Sequence, residues 1–317
     1  MTTYLSSVVF LRWMMNSDRP RSAGIFRLAL AQMRCAADAA ENVRKALRYV
    51  SAAARRNASL CVLPEMFSNR YSGQFDNVDA FLAKVPDHHQ LLETFSTAAQ
   101  RHSISLVVPF IERVDTDTCY DTVVLVDAEG GVQAKYRKLH IPAAEGYRED
   151  RYFRPGDLSY CVAQVDSLTI GLAICWDQWF PEVSRILALR GAKLIVYPSA
   201  IGSEVAAPDF DSHPDWELVM RAQAIMNRVF VAAVNRVGQE ERIRFYGGSF
   251  VADPWGKVMQ RGGSNAPRLV IADLDVSQSA KANSFFGFFD TRAPATYGEL
   301  LRPAAAPPST PGLLGGA

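Results

Sequence analysis

The sequence carries almost no net charge, because 34 lysines and arginines are balanced by 33 aspartates and glutamates. A chain with so small an imbalance has no general attraction to nucleic acid or to an anionic membrane. The apolar run Val8-Val9-Phe10-Leu11 near the N-terminus is too short to cross a bilayer. We therefore expect a small-molecule partner, and no nucleic acid or membrane partner.

Cysteines are few and show no pairing pattern. The five cysteines, at positions 35, 61, 119, 161 and 175, are odd in number and scattered, with no Cys-x-x-Cys pair. This usage argues against a disulfide framework and against a structural zinc site, and it is typical of a reducing compartment. We expect a cytoplasmic location.

Hydrophobic residues make up 49% of the 317 residues, which is enough for a well-buried core. Residues 1–24 predict a disordered extension, with an organelle-targeting leader as the alternative because they hold arginines, serines and few acidic residues. Residues 303–317 consist almost wholly of Pro, Ala, Gly and Ser and predict a disordered tail. The predicted domain covers residues 25–302.

Within that domain, short apolar strands alternate with amphipathic helices, without an internal linker or a repeat. Some strands are apolar on both faces and others pair as hairpins, which predicts one α/β domain with mixed sheets, two of them sandwiched between helix layers. Predicted strands cover 26–32, 58–65, 104–110, 118–127, 131–136, 160–165, 168–174, 193–198, 229–235, 246–252, 256–260 and 269–275, and predicted helices cover 38–56, 78–102 with a break at Pro86, 182–190 and 216–228.

Cys175 stands between a predicted strand and a predicted helix. Residues 168–174 are an apolar run of strand length, and helical spacing of apolar residues begins at Glu182. An elbow of this kind lifts a side chain out of the sheet edge and leaves backbone N–H groups free to face a developing negative charge. Cys175 is therefore a candidate nucleophile, although most free cysteines are simply buried apolar residues.

Two other titratable residues follow strand ends, namely Glu65 and Lys138. A cysteine near its free pKa needs a base or a cation to become a thiolate, and Glu65 can accept that proton. A lysine stabilises both the thiolate and an oxyanion, and the N–H of Trp176 offers a second donor. The alternatives are that Glu65 caps a segment and that Lys138 belongs to a solvated basic loop.

Three motifs together resemble the signature segments of the carbon–nitrogen hydrolase (nitrilase) superfamily. They are Pro64-Glu65-Met66, Tyr136-Arg137-Lys138-Leu139-His140-Ile141-Pro142, and Ile174-Cys175-Trp176-Asp177 with Pro181-Glu182. The resemblance covers about residues 26–302 and implies a four-layer α-β-β-α sandwich that is usually dimeric or larger. It also implies that Glu65 is the general base, Lys138 the oxyanion-stabilising cation and Cys175 the nucleophile.

Many members of that superfamily have a second glutamate after the lysine segment. In Gly146-Tyr147-Arg148-Glu149-Asp150 the better match is Glu149, and Glu145 is the weaker candidate. The resemblance implies neither a metal nor another cofactor.

The longer run 136–157 and the sequence Cys175-Trp176-Asp177-Gln178-Trp179-Phe180-Pro181-Glu182 resemble the branch of the superfamily that hydrolyses N-carbamoylputrescine in polyamine biosynthesis. That resemblance implies a small ureido substrate whose far end is an ammonium. Glu204 is the predicted acid for this ammonium, with a solvated loop carboxylate as the alternative. The predicted walls of the substrate tunnel are Tyr71, Tyr147, Trp176 and Trp179, whose rings can also stack on the cation.

Other activities of the same superfamily remain open at this point. They are a β-ureidopropionase or N-carbamoyl-D-amino-acid hydrolase, and an ω-amidase or nitrilase. A catalytically silent scaffold of the same fold is the alternative from another class, and the complete set of Glu65, Lys138 and Cys175 argues against it. We expect a homo-oligomer, a dimer or larger.

Overall fold

The computed structural model describes residues 24–303. The extension predicted for 1–24 and the tail predicted for 303–317 lie outside the described residues apart from Gly24 and Pro303, so the division into extension, domain and tail stays a prediction. No helix within residues 24–303 combines the length and the apolar character needed to cross a membrane.

Sixteen strands alternate with helices along the described chain. The strands are β1 (Ile25–Gln32), β2 (Leu60–Val62), β3 (Ser105–Arg113), β4 (Cys119–Val126), β5 (Val132–Arg137), β6 (Ala143–Ala144), β7 (Tyr147–Arg148), β8 (Val162–Val165), β9 (Leu168–Leu172), β10 (Leu194–Ser199), β11 (Phe230–Asn235), β12 (Val237–Glu240), β13 (Ile243–Tyr246), β14 (Phe250–Ala252), β15 (Val258–Arg261) and β16 (Arg268–Asp275). The α-helices are α1 (Ala39–Arg55), α2 (Val78–Leu82), α3 (His88–His102), α4 (Pro181–Leu189), α5 (His213–Asn227) and α6 (Ser277–Phe286).

Two six-stranded sheets form the centre of the domain, in the orders β16-β1-β2-β3-β4-β5 and β15-β14-β11-β10-β9-β8. In the first sheet β1, β2 and β3 are parallel and the outer pairings are antiparallel. In the second sheet β9, β10 and β11 are parallel, again with antiparallel strands outside them. Mixed sheets were expected from the combination of apolar runs and hairpins, and the prediction is confirmed.

The layers follow from where the apolar side chains lie. One core cluster joins the facing sides of the two sheets and includes Leu28, Val62 and Val196. A second cluster packs α1 and α3 on the outer face of the first sheet, and a third packs α4 and α5 on the outer face of the second. This arrangement is the predicted four-layer α-β-β-α sandwich, in which apolar faces of sheets and helices cover one another.

The structure departs from the predicted elements in the last third of the domain. Residues 246–252 are not one strand, because Gly247 and Gly248 adopt positive φ and separate β13 from β14. The hairpin of β12 and β13 was not predicted, since its turn at Glu241 and Arg242 lacks the usual Asn-Gly or Asp-Gly pair. The helix α6 was also not predicted. The β12–β13 hairpin matters because it carries a residue that holds the candidate site.

Candidate active site

Cys175 lies at the predicted elbow, just after β9 and at the start of a 3-10 turn (Cys175–Trp179) that leads into α4. Its φ of 39° falls in the left-handed region, which is strained for a residue with a side chain. The Asp177 carboxylate holds the elbow, because it accepts a hydrogen bond from the Ile174 N–H at 3.0 Å and another from the Tyr136 hydroxyl at 2.9 Å.

The Cys175 thiol is buried, and its environment favours the neutral form. Burial raises its pKa well above the usual range, and the Glu65 carboxylate raises it further. Lys138 and a hydrogen bond with the backbone of Ala200 act in the opposite direction. A thiol held in this state needs a proton acceptor before it can attack a substrate.

Lys138 is the centre of the charged cluster. Its Nζ lies 2.7 Å from Glu65 Oε1 and 2.6 Å from Glu149 Oε2, and all three side chains are fully buried. Burial lowers the pKa of Lys138, but Glu149 and Glu65 more than offset this, so the pKa is raised and the ammonium is retained. The structure thus brings together the predicted acid, the predicted cation and a second glutamate.

The carboxylates of Glu65, Asp121 and Glu149 offer oxygen atoms within 4.8 Å of one another, a spacing that could hold a metal ion. The Lys138 ammonium already lies among them, at 2.6 to 3.5 Å from one oxygen of each. A metal ion would have to displace a buried cation that is paired on three sides. The cluster therefore suits a lysine and not a metal.

Glu149, rather than Glu145, belongs to this cluster. Glu149 lies in a 3-10 turn (Glu149–Arg151) and accepts a hydrogen bond from the Tyr71 hydroxyl at 2.6 Å. Glu145 is exposed and forms an ion pair with Arg242. Glu145, the weaker of the two candidates from the sequence, therefore does not belong to the charged cluster.

A cavity of about 400 Å³ opens onto Cys175 and Glu149. Tyr71 and Tyr147 form one aromatic pair in its wall, with ring centroids 5.6 Å apart, and Trp176 and Trp179 form another at 6.3 Å. Glu204 lies on the wall formed by the connection between β10 and α5. Every residue predicted to contact substrate lines this cavity: Tyr71, Tyr147, Trp176, Trp179 and Glu204.

Sequence reasoning missed three polar residues at the site. Asp215, near the start of α5, is a further carboxylate on the cavity wall. Asp121, in β4, is buried beside Lys138. Arg236 was not predicted to belong to the site, and its buried guanidinium donates hydrogen bonds to the carbonyl oxygens of Glu65 at 2.7 Å and Met66 at 3.1 Å.

Arg236 is held in turn by the unpredicted hairpin. It donates to the Glu240 carboxylate at 2.9 Å, and Glu240 also accepts a hydrogen bond from the Tyr71 N–H at 2.8 Å. This pair therefore fixes the backbone of the loop that runs from Glu65 to Tyr71. In the sequence, the only sign of the Arg236–Glu240 pair is the run of charged residues around these two positions.

The titration of Glu149 predicts a pH dependence near neutrality. Burial raises its pKa most, Lys138 opposes this, and Glu65 adds to the rise, which takes the pKa from 4.5 to about 7. Only the ionised carboxylate can accept from both Lys138 and Tyr71, so kcat/KM is expected to fall below about pH 7. The pH profile of Glu149→Gln should lack this fall at acidic pH, and its kcat/KM should be lower than that of wild type at every pH.

The same titration acts on stability with the opposite sign. Because the pKa of Glu149 is raised on folding, its contribution to stability is present below pH 4.5 and is lost as the pH rises through about 7. The ionised form, which we expect to be the active one, is thus the form in which the folded protein is less stable. For the kinetic prediction, a fall in kcat/KM at acidic pH that persists unchanged in Glu149→Gln would show that another group causes it.

The chain is similar to carbon–nitrogen hydrolases in both sequence and structure. The carbon–nitrogen hydrolase family profile matches residues 27–283. A citrullinase from Francisella tularensis subsp. tularensis is 34% identical over 281 residues, which cover 87% of this chain and 98% of that protein. An N-carbamoylputrescine amidase from Solanum lycopersicum is 35% identical over 283 residues, covering 86% and 94%. The crystal structure of a carbon–nitrogen hydrolase from Helicobacter pylori G27 superposes with a TM-score of 0.82 at 27% identity, covering 88% of this chain and 99% of that one.

Proposed function

Since the chain belongs to the carbon–nitrogen hydrolase family and is an amidohydrolase of non-peptide C–N bonds, we propose that it hydrolyses N-carbamoylputrescine to putrescine, carbon dioxide and ammonia. The similar proteins include both a citrullinase and an N-carbamoylputrescine amidase. The choice between such substrates has to come from the site of this chain.

The charge of the cavity wall supports the choice. Besides Glu149, which is paired with Lys138, the wall carries the carboxylates of Glu204 and Asp215. Among the described residues that line the cavity there is no lysine, arginine or histidine. A wall of this kind favours a substrate that ends in an ammonium and disfavours one that ends in a carboxylate.

The aromatic lining of the cavity supports a substrate with a short apolar chain. The aromatic pairs Tyr71–Tyr147 and Trp176–Trp179 line its wall. Their rings can bury the methylene groups of a butyl chain, and their faces attract a cation. The volume of about 400 Å³ is within the usual range of small-molecule sites.

The first half of the proposed reaction forms a bond to sulfur. Glu65 takes the proton of the Cys175 thiol, and the thiolate attacks the ureido carbon. Because two nitrogens donate electrons to that carbon, it is a poor electrophile, and the oxyanion that forms needs strong stabilisation. The Lys138 ammonium and the backbone N–H of Trp176 provide it. The C–N bond then breaks, and Glu65 returns its proton to the departing amine.

The second half removes the carbonyl group from the enzyme. Glu65 takes a proton from a water molecule, and the hydroxide attacks the thioester carbon. The C–S bond breaks, the proton returns to Cys175, and the carbamic acid released decomposes into carbon dioxide and an amine. Overall, one water is consumed for each ureido group cleaved.

The alternative substrates carry a negative charge, and the cavity wall has no positive charge to pair with it. Citrulline, N-carbamoyl-β-alanine and the monoamide of a dicarboxylic acid all carry a carboxylate, and citrulline also carries an ammonium on the same carbon. Glu204 and Asp215 can pair with that ammonium, but in all three compounds the carboxylate would find no cation of the cavity wall and would be repelled by these two acids. The proposal therefore ranks all three below N-carbamoylputrescine.

Glu204→Gln tests the proposed recognition of the ammonium. Loss of a charge-assisted hydrogen bond is expected to raise KM for N-carbamoylputrescine about tenfold and to leave KM for a neutral alkylurea of equal length unchanged. Ammonia release is measured for both substrates, for citrulline and for N-carbamoyl-β-alanine.

Glu145→Gln is the matched control, because Glu145 is an exposed carboxylate paired with Arg242 and not part of the cavity wall. It should leave all KM values unchanged. A wild-type protein that prefers citrulline or N-carbamoyl-β-alanine contradicts the substrate assignment. An equal change for the neutral alkylurea removes Glu204 from recognition.

A further inference from the structure

Asp121 is a buried carboxyl group that the proposed reaction does not use. It lies in β4, is fully buried, and its backbone carbonyl accepts a hydrogen bond from the Lys138 N–H at 2.9 Å. This backbone pairing sets the side chain of Asp121 next to the Lys138 ammonium. No neighbouring motif marks the residue as functional.

The distances within the cluster separate Asp121 from the two glutamates. Lys138 Nζ lies 2.7 Å from Glu65 and 2.6 Å from Glu149, which is normal for a charge-assisted hydrogen bond. The distance from Lys138 Nζ to Asp121 Oδ2 is 3.5 Å, too long for a hydrogen bond of that strength. Asp121 is therefore close to the ammonium without being a hydrogen-bond acceptor for it.

Three oxygen atoms in the cluster are left without a donor. Both carboxyl oxygens of Asp121 and Oε2 of Glu65 are buried, and among the described residues no N–H or O–H donates to them. Buried oxygens without a donor are costly. The carboxyl groups of Asp121 and Glu65 offer oxygen atoms within 4.8 Å of each other, so a proton kept by Asp121 can give Glu65 Oε2 a donor and also removes a charge.

The balance of charge calls for the same proton. Three carboxylates and one ammonium, all buried, would leave two uncompensated negative charges if every acid were ionised. Like charges this close in a dry interior cannot all ionise, so at least one acid keeps its proton. The acid that lacks a short contact with the ammonium is Asp121.

We propose that Asp121 is a positioning residue that stays neutral and donates a hydrogen bond to Glu65 Oε2, which holds the plane of the general base while Oε1 stays on Lys138. This role rests on the proposed reaction through Glu65 and Cys175. Such a bond leaves Glu65 as the ionised partner, ready to accept the thiol proton.

The electrostatics of Asp121 agree with this assignment. Burial first, and the Glu65 carboxylate second, raise the pKa of Asp121 well above its usual range, and Lys138 lowers it only in part. The Glu149 carboxylate also raises this pKa, and so does the stabilisation of the neutral acid by a hydrogen bond that it would donate to Glu65. The groups that face Asp121 are thus Glu65, Lys138 and Glu149, and their combined action favours the neutral acid.

Two substitutions of Asp121 distinguish a neutral donor from an ionised partner of Lys138. In Asp121→Asn an amide N–H replaces the acid O–H, so kcat should stay within about threefold of wild type. In Asp121→Leu no donor remains, so kcat should fall roughly 10- to 100-fold with KM unchanged. At high pH the wild type should lose activity as Asp121 ionises, and Asp121→Asn should not.

Infrared difference spectroscopy tests the proton without any substrate. The spectrum of wild type minus Asp121→Asn should contain the C=O stretch of a neutral carboxylic acid at pH 7. Glu112→Gln is the matched control. Burial raises the pKa of this glutamate, but hydrogen bonds from Arg137, Lys135 and Thr122 more than offset that and hold the pKa at about 2. Its difference spectrum should contain only carboxylate bands.

Either readout can overturn the proposal. Absence of the neutral-acid band, Asp121→Asn as slow as Asp121→Leu, or Asp121→Leu as fast as wild type each contradicts it. If Asp121→Leu does not fold, the infrared band and the pH profile of Asp121→Asn decide. Because the band is measured without substrate, it stays informative even if N-carbamoylputrescine is not turned over.

Discussion

Lys138→Met is expected to abolish turnover and to lower the free energy of unfolding by roughly 3–5 kcal/mol, because it removes the cation from a buried charged cluster. Its ammonium contacts Glu65 at 2.7 Å and Glu149 at 2.6 Å, with no exposed surface on any of the three side chains. The variant leaves their charge unpaired and removes an oxyanion donor. Denaturant unfolding and ammonia release measure the two effects.

The loss of stability in Lys138→Met should shrink at low pH, where the orphaned carboxylates can take up protons. Lys135→Met is the matched control on the neighbouring strand β5, since Lys135 is partly exposed and pairs with Glu112 outside the site. Lys135→Met should lower the free energy of unfolding by about 1 kcal/mol or less and should keep full activity. Turnover by Lys138→Met near the wild-type rate would remove the lysine from the mechanism.

Cys175→Ala should lower the rate by a factor on the order of 10⁴ or more while the fold stays intact, because the variant lacks the atom that bonds to the substrate. Alanine occupies less space than cysteine at this buried position, so only a small loss of stability is expected. Circular dichroism and thermal unfolding check the fold, and ammonia release checks the rate.

Mass spectrometry of quenched reactions adds a direct readout. Wild type should carry a carbamoyl adduct on Cys175 during turnover, and Cys175→Ala should carry none. Cys161→Ala is the control, because this cysteine is a free, half-buried residue that does not line the cavity. Hydrolysis of the ureido bond by Cys175→Ala would end the proposed mechanism.

The sequence predicts the reacting groups because each stands just after a strand. Short apolar runs identify the strands, and a polar residue directly after such a run is easily recognised, as for Glu65, Lys138 and Cys175. That these three converge depends on the pairing of two sheets, which only the joint resemblance of the motifs predicted. The fold and the amidohydrolase class are confirmed, whereas the roles of the individual residues and the homo-oligomer stay predictions.

Other parts of the site could not be predicted from local pattern. Asp121 lies within β4, where a polar residue normally indicates a solvent-facing position, and only tertiary packing turns it inward. Asp215 follows the usual rule that acids occur in the first turn of a helix, so nothing marked it as part of a cavity. An arginine is usually a surface residue, and Arg236 is buried beside Glu240 of the unpredicted hairpin.

The cavity is lined partly by interior groups at strand ends and partly by residues on or near a surface connection, and the two parts can change independently in evolution. In the proposed reaction, bond cleavage depends on interior groups at strand ends. Glu204, by contrast, is half-buried and Asp215 is exposed, and both lie on or next to the connection between β10 and α5. A mutation in that connection can reverse the charge presented to a ligand without displacing Cys175. If Glu204 and Asp215 select the substrate as proposed, descendants of this chain can exchange one urea or amide for another while the groups that cleave the bond stay the same.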